Sequence, residues 1–173
     1  MKPDQITLQR IQTLHPKVRE EVHQIYVNEI VPALTGNAIV RFAYTTRTFQ
    51  EQADLYAQGR TRLFDNKGRR LGIVTNAKAG FSYHQYGTAL DICLIVDGKT
   101  ASWETNKDFD KDGVADWGEC VRIFKSHGWT WGGDWKNFPD RPHFEKTFGL
   151  STKQMMAKFL AKDFIPGTTF IRI

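Results

Sequence analysis

The sequence predicts an α+β fold: one compact domain over residues 1–173, with a small, mostly antiparallel sheet flanked by helices. Three observations carry that prediction. Short strand-like runs and helical stripes are mixed without the regular βαβ spacing of a parallel sheet. Residues 89–96 form an apolar run that would bury both faces of a strand. A chain of 173 residues, 40% hydrophobic and 25% charged, fits one domain with a real core.

The elements follow in order. A short helical segment is expected over residues 6–14. Residues 16–33 place Val18, Val22, Ile25, Tyr26 and Ile30 on one helical stripe. Residues 37–45 alternate and read as a strand. Thr48-Phe49-Gln50-Glu51 has the form of a capping box, starting a helix that Gly59 stops. Residues 60–80 form a long basic loop, rich in Gly and Asn. The strand 89–96 ends in a turn at Asp97-Gly98-Lys99. An acidic segment, 108–119, leads into a helix ending near His127-Gly128. The Trp- and Gly-dense stretch 129–135 is followed by a short strand entered near His143. Ser151 caps a last helix through Leu160, and residues 168–173 read as an edge strand.

The formal charge of +5 and pI near 9.2 suit an anionic partner: nucleic acid, membrane surface or cell-wall polymer. No nucleic-acid motif accompanies the charge, and aromatic residues are not interleaved with the basic ones. No apolar run reaches the roughly 20 residues of a membrane helix. Residues 1–10 are polar and lack the apolar core of a signal peptide. Synthesis in the cytoplasm is therefore expected, with any action outside needing a separate exit. Cys93 and Cys120 fall in a strand and a helix and read as core thiols.

The chemistry begins in the stretch Ser82 to Ile92. Asp91 is a carboxylate inside an apolar strand, so it must be paired, neutralised or bound to a metal. His84 lies seven residues upstream, across Gly87, which permits a tight turn. Together they make half of a zinc site. A core Asp bonded to the preceding turn fits the same stretch. Among the five histidines, His143 is the better third ligand, because Asp140 lies three residues before it. His15 and His23 are poorly placed, and His127 sits where an imidazole meets a helix dipole.

Ser82-x-His84-x-x-Gly87-x-Ala89-x-Asp91, with Asp140-x-x-His143 downstream, resembles the zinc D,D/L,D-peptidases. That family includes VanY-type carboxypeptidases and phage L-alanyl-D-glutamate endopeptidases, and its fold is related to that of the hedgehog-type signalling domain. Thr46-Arg47-Thr48-Phe49-Gln50-Glu51-Gln52 and the Trp-Gly-Gly-Asp-Trp segment at 131–135 extend the likeness, whose motif-bearing core spans about residues 38–148. The resemblance implies zinc held by His84, Asp91 and His143, with Asp140 as general base. It implies hydrolysis of peptidoglycan stem peptides at the L-Ala–D-Glu bond, by a monomer that acts on the wall after release. The chemistry agrees: zinc lowers the pKa of bound water towards ~7, a carboxylate relays its proton, and Arg47 matches an oxyanion partner.

Blander roles fit several of these residues. Asp140-Arg141-Pro142 is a good turn. Arg47 could pair with Glu51 one turn on. Ser82 fits substrate contact, orientation of His84 or a turn start. Trp131 fits a substrate-facing cleft wall or core packing. Glu145 shares a strand face with His143 and could support it. A D-Ala-D-Ala carboxypeptidase and a non-catalytic zinc-holding module are the alternative functions.

A second metal pattern comes from spacing alone. Asp108, Asp110, Asp112, Asp116 and Glu119 occupy the side-chain ligand positions of an EF-hand calcium loop, with the Val114 carbonyl at position seven and Gly113 at the sharp turn. No entering helix is expected before Asp108, and a solvated acidic turn fits the same residues.

Overall fold

A computed structural model describes residues 2–173. Helices α1 (Gln5–Ile11), α2 (Pro16–Ile25) and α3 (Val31–Ala33) precede strand β1 (Ala38–Tyr44) and helix α4 (Phe49–Ala57). Strands β2 (Ala89–Val96) and β3 (Thr100–Ser102), helix α5 (Asp116–Ser126), strands β4 (Thr130–Trp131) and β5 (His143–Glu145), and helix α6 (Thr152–Leu160) complete the chain. The chain divides into two compact units. One holds the chain up to Thr46 together with Gly87–Lys146; the other holds Arg47–Tyr86 and Thr147–Ile173.

The first unit carries the sheet, in the order β1-β2-β5-β4, with β3 also on β2 and every pairing antiparallel. The predicted mostly antiparallel sheet with flanking helices is the one observed. One edge of β2 is shared: residues 89–91 pair with β5 and residues 94–96 with β3. β3 was not expected. It exists because Asp97 (φ 53°) and Gly98 (φ 67°) both take positive φ, which lets the three residues between Val96 and Thr100 turn the chain back.

Along β1 the register runs from Ala38 opposite Val96 to Phe42 opposite Ile92. It then shifts, so that Tyr44 opposes Asp91. Such bulges re-aim side chains. Leu90, Ile92 and Leu94 are fully buried on one face of β2. Phe124 of α5 packs against Phe144 of β5 at 4.7 Å between ring centres, and against Phe42 at 6.2 Å. Each fully buried side chain of this kind contributes about 1.5–3 kcal/mol.

The helical stripe over 16–33 is observed, but not as one uniform helix. Residues Tyr26–Ile30 form a π-helical turn, and the Val31 N–H donates to the Tyr26 carbonyl five residues back. Pro32 supplies the reason: its ring crowds the preceding turn and it has no N–H to give.

The outer edge of β1 is occupied by side chains. The Phe42 N–H donates to Thr7 Oγ1 at 3.1 Å, and the Arg10 guanidinium donates to the Phe42 carbonyl. The Tyr26 hydroxyl donates to the Val40 carbonyl at 3.2 Å and accepts from the Asp4 N–H at 2.9 Å. Asp4 caps α1 by accepting from the Thr7 N–H, and takes two bonds from Arg41, at 3.0 and 2.8 Å.

The second unit is built on two capped helices. Thr48 and Glu51 form the predicted capping box of α4, and Ser151 and Gln154 form one on α6. Tyr86, Met155 and Ile171 are buried together, with Phe49 stacked on Phe159 at 4.5 Å. The stretch 60–80 is held by isolated bridges, Gln58 with Arg62 and Phe64 with Arg70, and much of it is exposed. The expected edge strand at 168–173 reduces to a single bridge between Phe164 and Ile171. Pro166 and Gly167 (φ 75°) fold the tail back on itself. Among the described residues no helix is long and apolar enough to cross a membrane.

Candidate metal centre

Asp91 and His143 are brought together by the sheet. They are direct partners in the β2–β5 register, and the Ile92 N–H donates to the Pro142 carbonyl at 3.0 Å beside them. Facing partners on one sheet side have their Cβ atoms only about 5 Å apart. His143 Nδ1 lies 3.2 Å from Asp91 Oδ1, and its Nε2 donates to Glu145 Oε2 at 2.9 Å. The two carboxylates thus bind opposite nitrogens of one buried ring. Burial alone would disfavour a charged ring. The hydrogen bonds and charges of Asp91 and Glu145 outweigh it and push the His143 pKa up to about 9. A ring so held has Nε2 fixed as the donor to Glu145, which leaves Nδ1 as the nitrogen a metal would take in exchange for a proton.

His84 is buried, in the 3-10 turn Tyr83–Tyr86 that ends at Gly87 (φ 71°). The Ser82 carbonyl starts that turn by accepting from the Gln85 N–H at 3.1 Å. Gln85 and Tyr86 then tie it to Gly80, through the Gly80 N–H and carbonyl, both at 2.7 Å. His84, Asp91 and His143 each offer one ligand atom, an imidazole from the second unit and an imidazole and a carboxylate from the first. Two imidazoles and one carboxylate are the donor set of a catalytic zinc site with an open position. The residues present therefore fit zinc.

Arg47 is also buried, and its N–H donates to the His84 carbonyl at 3.0 Å. The charge of Arg47 acts on the Glu51 carboxylate, as the one-turn spacing suggested. Glu51 is spent on the cap at Thr48, and the Arg47 guanidinium donates to Gln52 Oε1 at 2.8 Å. Gln52, fully buried, in turn donates to the Ala77 carbonyl at 2.7 Å. Gln52 is a supporting residue that the helical pattern did not single out.

Asp140 opens the turn into β5. The His143 N–H donates to its carbonyl at 3.2 Å, and its own N–H donates to the Gly132 carbonyl at 2.9 Å. Gly132 was not singled out either. A Cβ there would lie 2.5 Å from the Asp140 carbonyl oxygen and 3.1 Å from His143 Cβ, so only glycine fits. The signal was present in the Gly pair of the 131–135 segment. Trp131 Nε1 donates to the Arg141 carbonyl at 2.7 Å, bracing the same turn, and the Trp135 ring lies 5.2 Å from the His143 ring.

His15 and His127 have other work. His15 Nδ1 accepts from the Lys17 N–H as the cap of α2, and His127 Nε2 lies 2.6 Å from Glu29 Oε1. Cys93 and Cys120 are free, buried thiols, as the sequence suggested.

A family model described as D-alanyl-D-alanine carboxypeptidase matches residues 75–146. The chain is 40% identical over 134 residues to the peptidoglycan L-alanyl-D-glutamate endopeptidase CwlK of Bacillus subtilis, covering 76% of this chain and 72% of that protein. It is 40% identical over 74 residues to the L-alanyl-D-glutamate peptidase of Listeria phage A118, 41% of this chain and 24% of the phage protein. The crystal structure of the Serratia marcescens L-Ala D-Glu endopeptidase ChiX shares the fold, with a TM-score of 0.51 at 19% identity over 83% of this chain and 88% of that one. The chain belongs to the M15 peptidase family that includes the peptidoglycan L-alanyl-D-glutamate endopeptidases.

Proposed function

We propose that this chain is a zinc-dependent peptidase that hydrolyses the L-Ala–D-Glu bond of peptidoglycan stem peptides. The observation that carries the reading is the Asp91–His143 pair, with Glu145 fixing the ring from its far side. In this reading His84, Asp91 and His143 hold the zinc. Bound zinc supplies a Lewis acid that polarises the scissile carbonyl and makes water acidic enough to attack at neutral pH. Asp140 accepts the proton of the attacking water and returns it to the leaving D-Glu amine. Arg47 donates to the oxygen on which negative charge develops. Ser82 and Trp131 line the place of the stem peptide. The chain acts as a monomer and as one peptidase domain, made in the cytoplasm and working on the wall after release; its net positive charge suits that polymer.

The matched family model favours one second reading, a D-Ala-D-Ala carboxypeptidase on the same scaffold. Digestion of purified peptidoglycan separates the two. New amino-terminal D-Glu, identified by mass, is the expected product. Release of free D-Ala alone would establish the carboxypeptidase, and no product of either kind from zinc-loaded protein would leave a non-catalytic module.

A further inference from the structure

We propose that residues 60–74 form a docking hairpin that lies on an anionic lipid surface. Its basic side chains meet the lipid phosphates, and Leu63 and Phe64 enter the boundary between headgroups and acyl chains. The inference concerns this segment alone and stands whether or not the peptidase reading does.

The positive charge of the chain is gathered here. Residues 60–78 carry Arg60, Arg62, Lys67, Arg69, Arg70 and Lys78 against one acid, Asp65, a net +5. The whole chain also has a formal charge of +5, so its other residues balance. The same segment exposes large apolar side chains: Phe64 is 57% exposed, Ile73 52%, Val74 51% and Leu63 47%. Single apolar residues on a surface are ordinary, but several together mark a contact.

The segment is not a slack loop. Phe64 and Arg70 are bridge partners, the Leu71 N–H donates to the Leu63 carbonyl at 2.8 Å, and the Asp65 N–H donates to the Arg69 carbonyl at 2.9 Å. Asp65 closes the tip. Its Oδ1 accepts from the Lys67 and Arg69 N–H groups, both at 2.9 Å, and its Oδ2 accepts from Arg69 Nε at 2.7 Å. Gly68 (φ 73°) lets the chain reverse. At the root, a Cβ on Gly59 would lie 2.6 Å from the Gly72 carbonyl carbon and from the Ile73 nitrogen, so the two ends of the hairpin pack backbone to backbone. The one acid is thus spent inside the tip, while Lys67 and Arg70 stay exposed. A tip already held in shape loses little freedom on docking.

Phosphate from any source answers the charge: a wall polymer, a nucleic acid or a lipid headgroup. Only the lipid answers the apolar side chains as well. Phe64 is the single aromatic residue in 60–80, where a single-strand binding face has several on which bases stack. Basic and apolar side chains together are the composition of segments that lie in a bilayer interface without crossing it.

The test is sedimentation of the whole protein with vesicles of phosphatidylcholine alone and with vesicles containing about one-third phosphatidylglycerol. Binding at least about tenfold tighter to the anionic vesicles is expected, because each basic residue at such a surface strengthens binding about fivefold. Lys67→Gln/Arg70→Gln should weaken that binding at least about tenfold, and Phe64→Ser at least about fivefold. These side chains are exposed, so both variants should melt as the parent does; a loss of binding is then a loss of contact and not of fold. Equal binding to the two vesicle types, or none to either, would overturn the proposal. So would parental binding by Phe64→Ser, which would mean ionic contact alone, of the kind a wall polymer or a nucleic acid makes.

Discussion

His143 Nδ1 lies 3.2 Å from Asp91 Oδ1 because the two residues are direct partners across an antiparallel ladder. Their meeting is a property of strand register. A slip of either strand by one residue would turn that strand's side chain to the other face.

Removing the ring should therefore remove the metal. His143→Ala and His84→Ala are each expected to lose zinc by metal analysis, while Asp140→Asn keeps it and loses at least ~100-fold in turnover, the low end for general acid–base catalysis. Asparagine keeps the shape but cannot take the proton. Full zinc in both histidine variants would refute the ligand assignment.

Glu145 makes a separate point, since it touches only the far nitrogen of His143. Glu145→Ala should weaken zinc binding by roughly 10–100-fold, the usual loss when a ligand's orienting partner is removed. Competition with a chromogenic chelator would measure it. Parental affinity in that variant would reduce Glu145 to a neighbour.

Gly132→Ala tests the turn behind the site. The added methyl would meet the Asp140 carbonyl at 2.5 Å, and that carbonyl is backbone, which cannot swing aside. Overpacking of this kind costs about 1–3 kcal/mol. A lower melting temperature and a fall in kcat are expected together; a variant with unchanged kinetics would show that the 132–140 turn can relax without moving Asp140.

Asp4 gives the acid dependence of the fold. Burial alone would raise its carboxyl, but the hydrogen bonds from Arg41 and Thr7 outweigh that and hold it below its ordinary value of 3.8. The folded state thus binds this proton less readily than the unfolded state. The stabilisation is complete above about pH 4 and is lost as pH falls through the folded value. Asp4→Asn keeps a competent cap but gives up the ion pair, at about 1–2 kcal/mol near neutral pH. The melting-temperature gap between parent and variant should close as pH drops from 5 to 2. A gap that stays constant would contradict the pairing.

Much of this was readable from local pattern. The strand at 89–96, the Thr48–Glu51 cap and the short strand at His143 were all visible, because alternation, capping chemistry and turn residues act within a few positions. So were the candidate ligands, as residue types at fixed spacing. What was not visible depends on distant partners. Nothing near Arg47 shows that Gln52 accepts from its guanidinium. Nothing near Gly132 shows that Asp140 and His143 crowd it. The π turn at Tyr26–Ile30 was hidden because a stripe of apolar positions tolerates a small change of pitch. The tail alternated like a strand, but Pro166 and Gly167 bend it first.

The filled margin of β1 has a consequence for the molecule in concentrated solution. An unfilled strand margin is a template on which another chain can add its own strand, and repeated addition leads to fibres. Here Thr7, Arg10 and Tyr26 already occupy the Phe42 and Val40 groups that an incoming strand would need. A second copy would find those three groups taken. Helix α1 and the π turn at Tyr26–Ile30 thus act as a stopper against sheet-to-sheet polymerisation, and loosening them would uncover the Phe42 and Val40 groups.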